Sequence, residues 1–437
     1  MFKNWFRSGK ERPDPVVHGE EGAALHQLAG SSAFLLRQPV LDRTQKIIGY
    51  DVAFRRPDND PGSDQVLDEL QEDTLAKLEQ LEFSHNSPEK LMFVRLKAGL
   101  LASVGQTFAT SNRLVLVLDS WHQMDQETLL RDCQACVGSG WQLAIDNLPE
   151  QLESGQLLPL LSWLRFDLRR YSAVDLEQQL RQLRHHASLR LLARQVETED
   201  DFEASQALGF DACQGYFFTR VRLNQQRRID HDRIRVMRLL NLLAQNVELK
   251  ELESVMRRDA ILSYKLLMYI NSPLNGLDHP LESISQALMF LGYGPLYRWL
   301  TVLLFTSGTR HARDRAILQQ ALVRARLMEL LAGHAGMGRE AESLFLTGMI
   351  SMLDALLNVP IDQAIEPLML SDPITQALTQ RSGPYSPYLD LALALETGDW
   401  YQADDRSRAI GLNADAINPL LVEAMGWASA LDSLPAD

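Results

Sequence analysis

Cysteine is scarce in this chain, three residues in 437. So few in so long a sequence exclude a disulfide framework and point to a reducing compartment, the cytoplasm. Long apolar runs are also missing. Nothing approaches the ~20 residues that span a bilayer, so no transmembrane segment is expected. Basic residues near the start are not followed by the apolar run of a signal peptide. Positive charge is in deficit: 43 Lys and Arg stand against 57 Asp and Glu, a net charge of −14. Nucleic acid is therefore not an expected partner, because phosphate contacts need a basic surface. There is no glycine-rich phosphate loop, and no Ser/His/Asp arrangement can be argued from the sequence.

What is present suffices for two or three buried cores, at 46% hydrophobic residues. Residues 1–30 read as a flexible tail. Its opening mixes aromatic and basic residues, Phe2, Lys3, Trp5, Phe6 and Arg7, and the alternative for it is a membrane-surface anchor.

From Ala33 strand and helix patterns alternate. Short apolar runs fall at 34–41, 47–55, 91–96, 114–118, 143–145, 164–166 and 189–193. Helical periods lie between most of them, at 63–81, 126–137 and 175–185. Thr198 is a plausible N-cap with Asp201 three residues on. Repeated strand–helix units argue for a parallel sheet, with an eight-stranded barrel as its natural closure. The polar residues after 189–193 then stand at the strand's C-terminal end, where ligands bind in such folds.

Beyond an arginine-rich stretch at 221–235, only helices are visible. Asp259 is an N-cap. Ser283 and Gln286 have capping-box spacing, Ile284, Ala287, Leu288 and Leu291 share one face, and Gly292 ends the helix. Further helices are expected at 316–332, 342–357 and 389–396.

Two stretches carry a resemblance. Arg194-Gln195-Val196-Glu197-Thr198, followed by a helix and Gln214-Gly215-Tyr216-Phe217-Phe218, resembles the EGVET and QGY-x-F frame of the EAL domain, the cyclic di-GMP phosphodiesterase fold. Residues 258–262, 270–272, 284–292 and 347–354 resemble the HDOD domain, a helical relative of the HD phosphohydrolases. Ser351 and Met352 stand where HD enzymes carry their His-Asp pair. The resemblance implies an α/β plus all-α protein: a TIM-barrel-like EAL domain, residues 31–222, followed by a helical HDOD domain, residues 223–437.

It also implies a site. EAL phosphodiesterases use two divalent metals, held by carboxylate and amide oxygens, to activate water. Asp51 replaces the glutamate of G-x-E-A-L-x-R, and Arg55 keeps its arginine. Arg95 stands for a ligand asparagine and Val117 for a ligand glutamate. Asp146-Asn147 stands for paired aspartates. Arg165 replaces the lysine of L-K-x-D, with Asp167 retained. Arg194 replaces an acidic residue, while Glu197 and Gln214 are kept. An arginine cannot give up its proton to coordinate a metal. Two added cations beside a divalent ion repel it by several kcal/mol even at an effective dielectric of ~20.

The expectation is therefore a non-catalytic signalling protein with no metal and no cofactor. Arg95, Arg165 and Arg194 would turn inward onto Asp51, Asp146, Asp167 and Glu197. The barrel would serve as sensor or docking scaffold and the HDOD domain would bind a protein partner. The alternatives are a cyclic di-GMP receptor, kept open by Arg55 and Gln214, and a residual cyclic di-GMP phosphodiesterase. Cys133-x-x-Cys136 has no second pair and reads as two ordinary helix cysteines. His185-His186 face different ways on a helix end and are poor joint ligands. Asn271-Ser272-Pro273 reads as a helix C-cap and turn.

Overall fold

The computed structural model describes residues 33–55, 90–107, 113–147, 156–183, 188–221, 230–272, 277, 279–307 and 311–432. The expected tail, the helix at 63–81, His185-His186 and the side chain of Arg55 lie outside the described residues.

Eight strands close a barrel in chain order. They are β1 (Phe34–Asp42), β2 (Ile47–Arg55), β3 (Leu91–Lys97), β4 (Leu114–Asp119), β5 (Gln142–Asp146), β6 (Trp163–Asp167), β7 (Arg190–Arg194) and β8 (Ala212–Gln214). From β2 to β8 neighbours pair in parallel, but β1 is antiparallel to both β2 and β8. The first strand departs from the parallel sheet for a local reason, and 47–55 pairs with 34–41. Four residues, 43–46, join β1 to β2, and the Asp42 carboxylate accepts the N–H groups of Thr44 and Lys46 within that turn. So short a link permits only antiparallel pairing.

The runs LVLVL and QLAI have almost no polar interruption because their strands are covered on both faces. Val40, Phe93, Val115, Val117, Ala144, Trp163, Leu192 and Ala212 form one buried cluster. Outside lie α1 (Leu101–Thr107), α2 (Gln126–Gly138), α3 (Ala173–Leu183) and α4 (Glu199–Leu208). Leu129, Cys133 and Cys136 are the buried face of α2, at i, i+4 and i+7. In α4 the Thr198–Asp201 capping box is complete, and Gly209 ends the helix at φ 93°.

The second half is helical: α5 (His231–Ala244), α6 (Leu249–Met256), α7 (Ala260–Ile270), α8 (Ile284–Leu291), α9 (Tyr293–Thr306), α10 (Ala312–His334), α11 (Ala341–Ile350), α12 (Leu353–Leu357), α13 (Ile361–Ile365) and α14 (Asp372–Gln380). Asp259 caps α7 by accepting from Ile261 and Leu262 N–H. Ser283 caps α8, but the Gln286 side chain returns to the Glu282 N–H, so the box is half formed. The helix expected at 342–357 is broken between α11 and α12. No single described helix is long and apolar enough to cross a membrane; α8 and α9 qualify only as a pair bent by 109°.

The chain divides into two compact units, one holding Val221–Leu389 and the other Ala29–Arg220 with Asp390–Asp437. Of the described residues, 390–432 group with the barrel. After α15 (Ser386–Thr397) and α16 (Trp400–Ala409), α17 (Ala414–Asp432) carries Asn418. Its side-chain amide accepts from Leu35 N–H at 2.9 Å and donates to Ala33 O at 2.8 Å. A buried start of β1 finds its partner there, which the local sequence cannot show.

Candidate functional site

Side chains alternate faces along a strand, so residues two apart share one. On β3, β5, β6, β7 and β8 the residue two positions beyond a core member is polar: Phe93 is followed by Arg95, Ala144 by Asp146, Trp163 by Arg165, Leu192 by Arg194, and Ala212 by Gln214. The parallel strands therefore stack a polar layer on the apolar one, at their C-terminal ends. On β4 the core continues to Val117, and the polar residue of that face is Asp119.

Asp146 is the hub of this layer. Arg95 Nη2 and Arg194 Nη1 both reach its Oδ2, at 2.5 and 2.8 Å. Arg165 Nε lies 2.8 Å from its Oδ1. That last contact is an ion pair rather than an aligned hydrogen bond. Arg165 Nη2 donates to Asp51 Oδ2 at 2.8 Å. Arg95 Nη1 also faces Asp119 Oδ2 at 3.6 Å. Arg194 Nε donates to Gln214 Oε1, and Gln214 Nε2 donates to Gln38 Oε1. Exposure grades across the arginines: 1% for the Arg165 side chain, 17% for Arg194 and 28% for Arg95.

Burial opposes charge on Asp146, but Arg165, Arg95 and Arg194 more than reverse it and hold the carboxyl well below its usual range. Burial also opposes charge on Arg95, and Asp146, Asp119 and Asp51 outweigh it, raising its pKa. Arg194 differs. Burial and repulsion from Arg165 outweigh what Asp146 and Asp51 return, so its pKa is lowered.

The inward turn of the three arginines is thus present, onto Asp51 and Asp146. It does not extend to the other two acids. Asp167 pairs with Arg169 and Glu197 with Arg220. Asn147, at φ 59°, donates its N–H to Arg165 O and accepts from Asp167 N–H, tying the ends of β5 and β6. Val117 is fully buried in the core. The sequence reading missed Asp119, Gln38, Arg169 and Arg220. Asp119 was within reach, since period two places it on the face of Val117.

The QGY-x-F frame is largely structural. Gly215 sits at φ 153°, and a Cβ there would lie 1.9 Å from Val196 O. Tyr216 Oη donates to Arg37 O at 2.9 Å, and Phe217 stacks on Phe202 with ring centres 4.5 Å apart. Cys133 and Cys136 are buried, and burial pushes the Cys133 thiol up to about 12. In the helical half Arg324 Nη1 donates to Ser351 Oγ at 2.7 Å, at the break between α11 and α12. Asn271 is the C-cap of α7, and its amide bonds both N–H and C=O of Leu281.

The two divalent ions that the resemblance implies do not fit this donor set. Both oxygens of Asp146 face guanidinium groups, and Arg95 and Arg194, where the resemblance places ligands, are permanent cations. Among the described residues no group of three or more His, Cys, Asp or Glu side chains could hold a metal ion.

Residues 233–361 match the HDOD domain. The chain is 27% identical over 416 residues to the cyclic di-GMP phosphodiesterase CdgJ of Vibrio cholerae, covering 92% of this chain and 94% of that protein. It is 26% identical over 407 residues to the uncharacterized protein YuxH of Bacillus subtilis, covering 90% and 97%. Among solved structures, a PaMucR phosphodiesterase complex with cyclic di-GMP aligns at 19% identity and TM-score 0.36, over 46% of this chain and 96% of that one. An EAL domain protein of Listeria monocytogenes aligns at 15% and 0.34, over 48% and 94%. The CdgJ match overturns the expectation that the chain is not an enzyme: a relative aligned over nearly its whole length is named for phosphodiester cleavage. Residues 233–361 thus carry an HDOD domain, and they follow a closed eight-stranded barrel whose motif frame resembles that of the EAL domain.

Proposed function

We propose that this is a cyclic di-GMP signalling protein whose barrel mouth takes up the dinucleotide, with phosphodiester hydrolysis, the activity in the CdgJ name, as its reaction. The observation that carries the reading is the convergence of Arg95, Arg165 and Arg194 at the C-terminal ends of parallel strands. Guanidinium groups match phosphate geometry and stabilise charge that develops on phosphoryl oxygens. Asp146 is held too acidic to serve well as a general base near neutral pH, so its part is to position the arginines. The donors do not fit paired divalent ions. The HDOD half is assigned to a protein partner; a stripe of exposed apolar residues on α7, Ile261, Tyr264 and Met268, supports that assignment.

The test is direct. The full chain is incubated with cyclic di-GMP, with Mg²⁺ and with Mn²⁺, and the linear dinucleotide is followed by chromatography. Product that disappears in Arg165→Ala supports the reading. Neither product nor bound dinucleotide at high protein concentration would rule it out.

A further inference from the structure

The arginine cluster and the missing metal donors are one fact seen from two sides. Arg95 and Arg194 stand where the resemblance places metal ligands and Arg165 where it places a lysine, so the cations of the mouth are covalently part of the chain. We propose that Arg194 is the phosphate ligand of this site, exchanging Asp146 for a phosphate oxygen of the cyclic dinucleotide, and that binding needs no divalent cation. This rests on the reading of the barrel mouth as the dinucleotide site.

Four observations single out Arg194. It shares its carboxylate oxygen: Asp146 Oδ2 accepts from Arg194 Nη1 and from Arg95 Nη2 at once. Losing Arg194 therefore leaves Asp146 still paired with Arg95 and Arg165. The charge of Arg194 is also incompletely compensated, since burial and Arg165 outweigh the nearby acids. It is neither locked nor loose. Arg165 is sealed at 1% exposure between two carboxylates, whereas Arg194 keeps 17% of its side chain accessible. Finally, its Nε is held by Gln214, which is itself held by Gln38, so one edge of the fork stays anchored while the other swings.

The cluster counts three guanidinium groups against Asp51, Asp146 and Asp119, so its charge nearly cancels. An incoming phosphate must compete with a carboxylate for the fork. Affinity is then set by exchange of one charge-assisted pair for another, and it weakens with added salt.

The experiment is calorimetric titration of the full chain with cyclic di-GMP, once in excess EDTA and once in Mg²⁺. Affinity in the two buffers is expected to agree within about twofold. Arg194→Ala is expected to lose tenfold or more in EDTA, and Arg194→Lys to recover only part, since it keeps the charge and not the fork. Thermal melts of both variants confirm that they are folded; the wild-type comparison of buffers stands without them. Binding in Mg²⁺ that vanishes in EDTA would assign the phosphates to a metal and overturn the inference while leaving the dinucleotide site standing. An Arg194→Ala variant that binds like wild type in EDTA would overturn it as well. Absence of binding in both buffers would remove the site itself.

Discussion

Arg165 and Asp146 are register partners on β6 and β5, with Arg165 Nε 2.8 Å from Asp146 Oδ1 inside the barrel. Arg165 is the most buried of the three arginines, and its other ion pair is with Asp51. Removing one partner of a buried pair strands the remaining charge, which costs about 3–5 kcal/mol. Arg165→Ala is expected to lose stability on that scale in urea unfolding, and Arg194→Ala clearly less, because Arg165 is the more buried and its loss also strips Asp51 of its guanidinium partner. Equal losses would contradict the hub assignment.

Acid should dismantle the same cluster. The Asp146 carboxyl titrates below its unfolded value of about 4. Between the two values the unfolded chain binds more protons, so stability rises with pH. The contribution is complete above about pH 4 and is lost as pH falls through the folded value. The urea midpoint of the wild type is expected to drop more steeply from pH 5 to pH 3 than that of Asp146→Asn. Parallel curves would count against it.

Asp354, in the first turn of α12, has the opposite sign. Burial raises its carboxyl above the usual range despite the Ala355 N–H and the influence of Arg324 and Arg381. Its stabilising share is present below the unfolded value and lost as pH rises through the folded one. Asp354→Asn is expected to raise the melting temperature at pH 7, with the gain shrinking toward pH 4. A lower melting temperature at pH 7 would show that the carboxylate is needed.

Gly215 and Gly348 admit no side chain. At Gly215 a Cβ would meet Val196 O at 1.9 Å, and at Gly348 it would meet Ala325 Cα at 2.5 Å, on α10. Both neighbours are backbone and cannot rotate away. Gly348→Ala is expected to cost about 1–3 kcal/mol through overpacking, and Gly215→Ala more, since its φ of 153° adds strain. Urea unfolding of the two variants measures this.

The cysteines offer the cheapest check. Cys133, Cys136 and Cys213 are buried and their thiols are pushed upward, Cys213 to about 11. Thiolate is the reactive form. A thiol reagent at pH 8 is expected to find none of them in the native protein and all three in guanidinium chloride. Rapid native labelling of Cys133 and Cys136 would reopen a redox role for the pair.

How much of this was legible beforehand varies by residue. Thr198, Asp259 and Ser283 were readable as caps because a cap acts within three residues of itself. Arg95, Arg165 and Arg194 were identifiable from the motif frame, and that an arginine cannot coordinate a metal follows from its chemistry alone. Their partners were another matter. Asp167 and Glu197 were expected in the cluster, but Arg169 and Arg220 lie close enough to claim them. Asp119 entered instead, through the register of β3 against β4. The absence of an enzyme was inferred from missing ligands, and a relative aligned over 92% of the chain argues otherwise.

Sequence alone determined that the pocket carries fixed cations, that strands and helices alternate before Arg220, and that only helices follow. These are properties of residue type and of period, which neighbours along the chain impose on each other. The three-dimensional fold decided that β1 runs against the other strands, that α17 returns to cap it through Asn418, and that one aspartate gathers three arginines. Those choices depend on residues tens to hundreds of positions apart, and only closure of the barrel brings them within hydrogen-bonding distance.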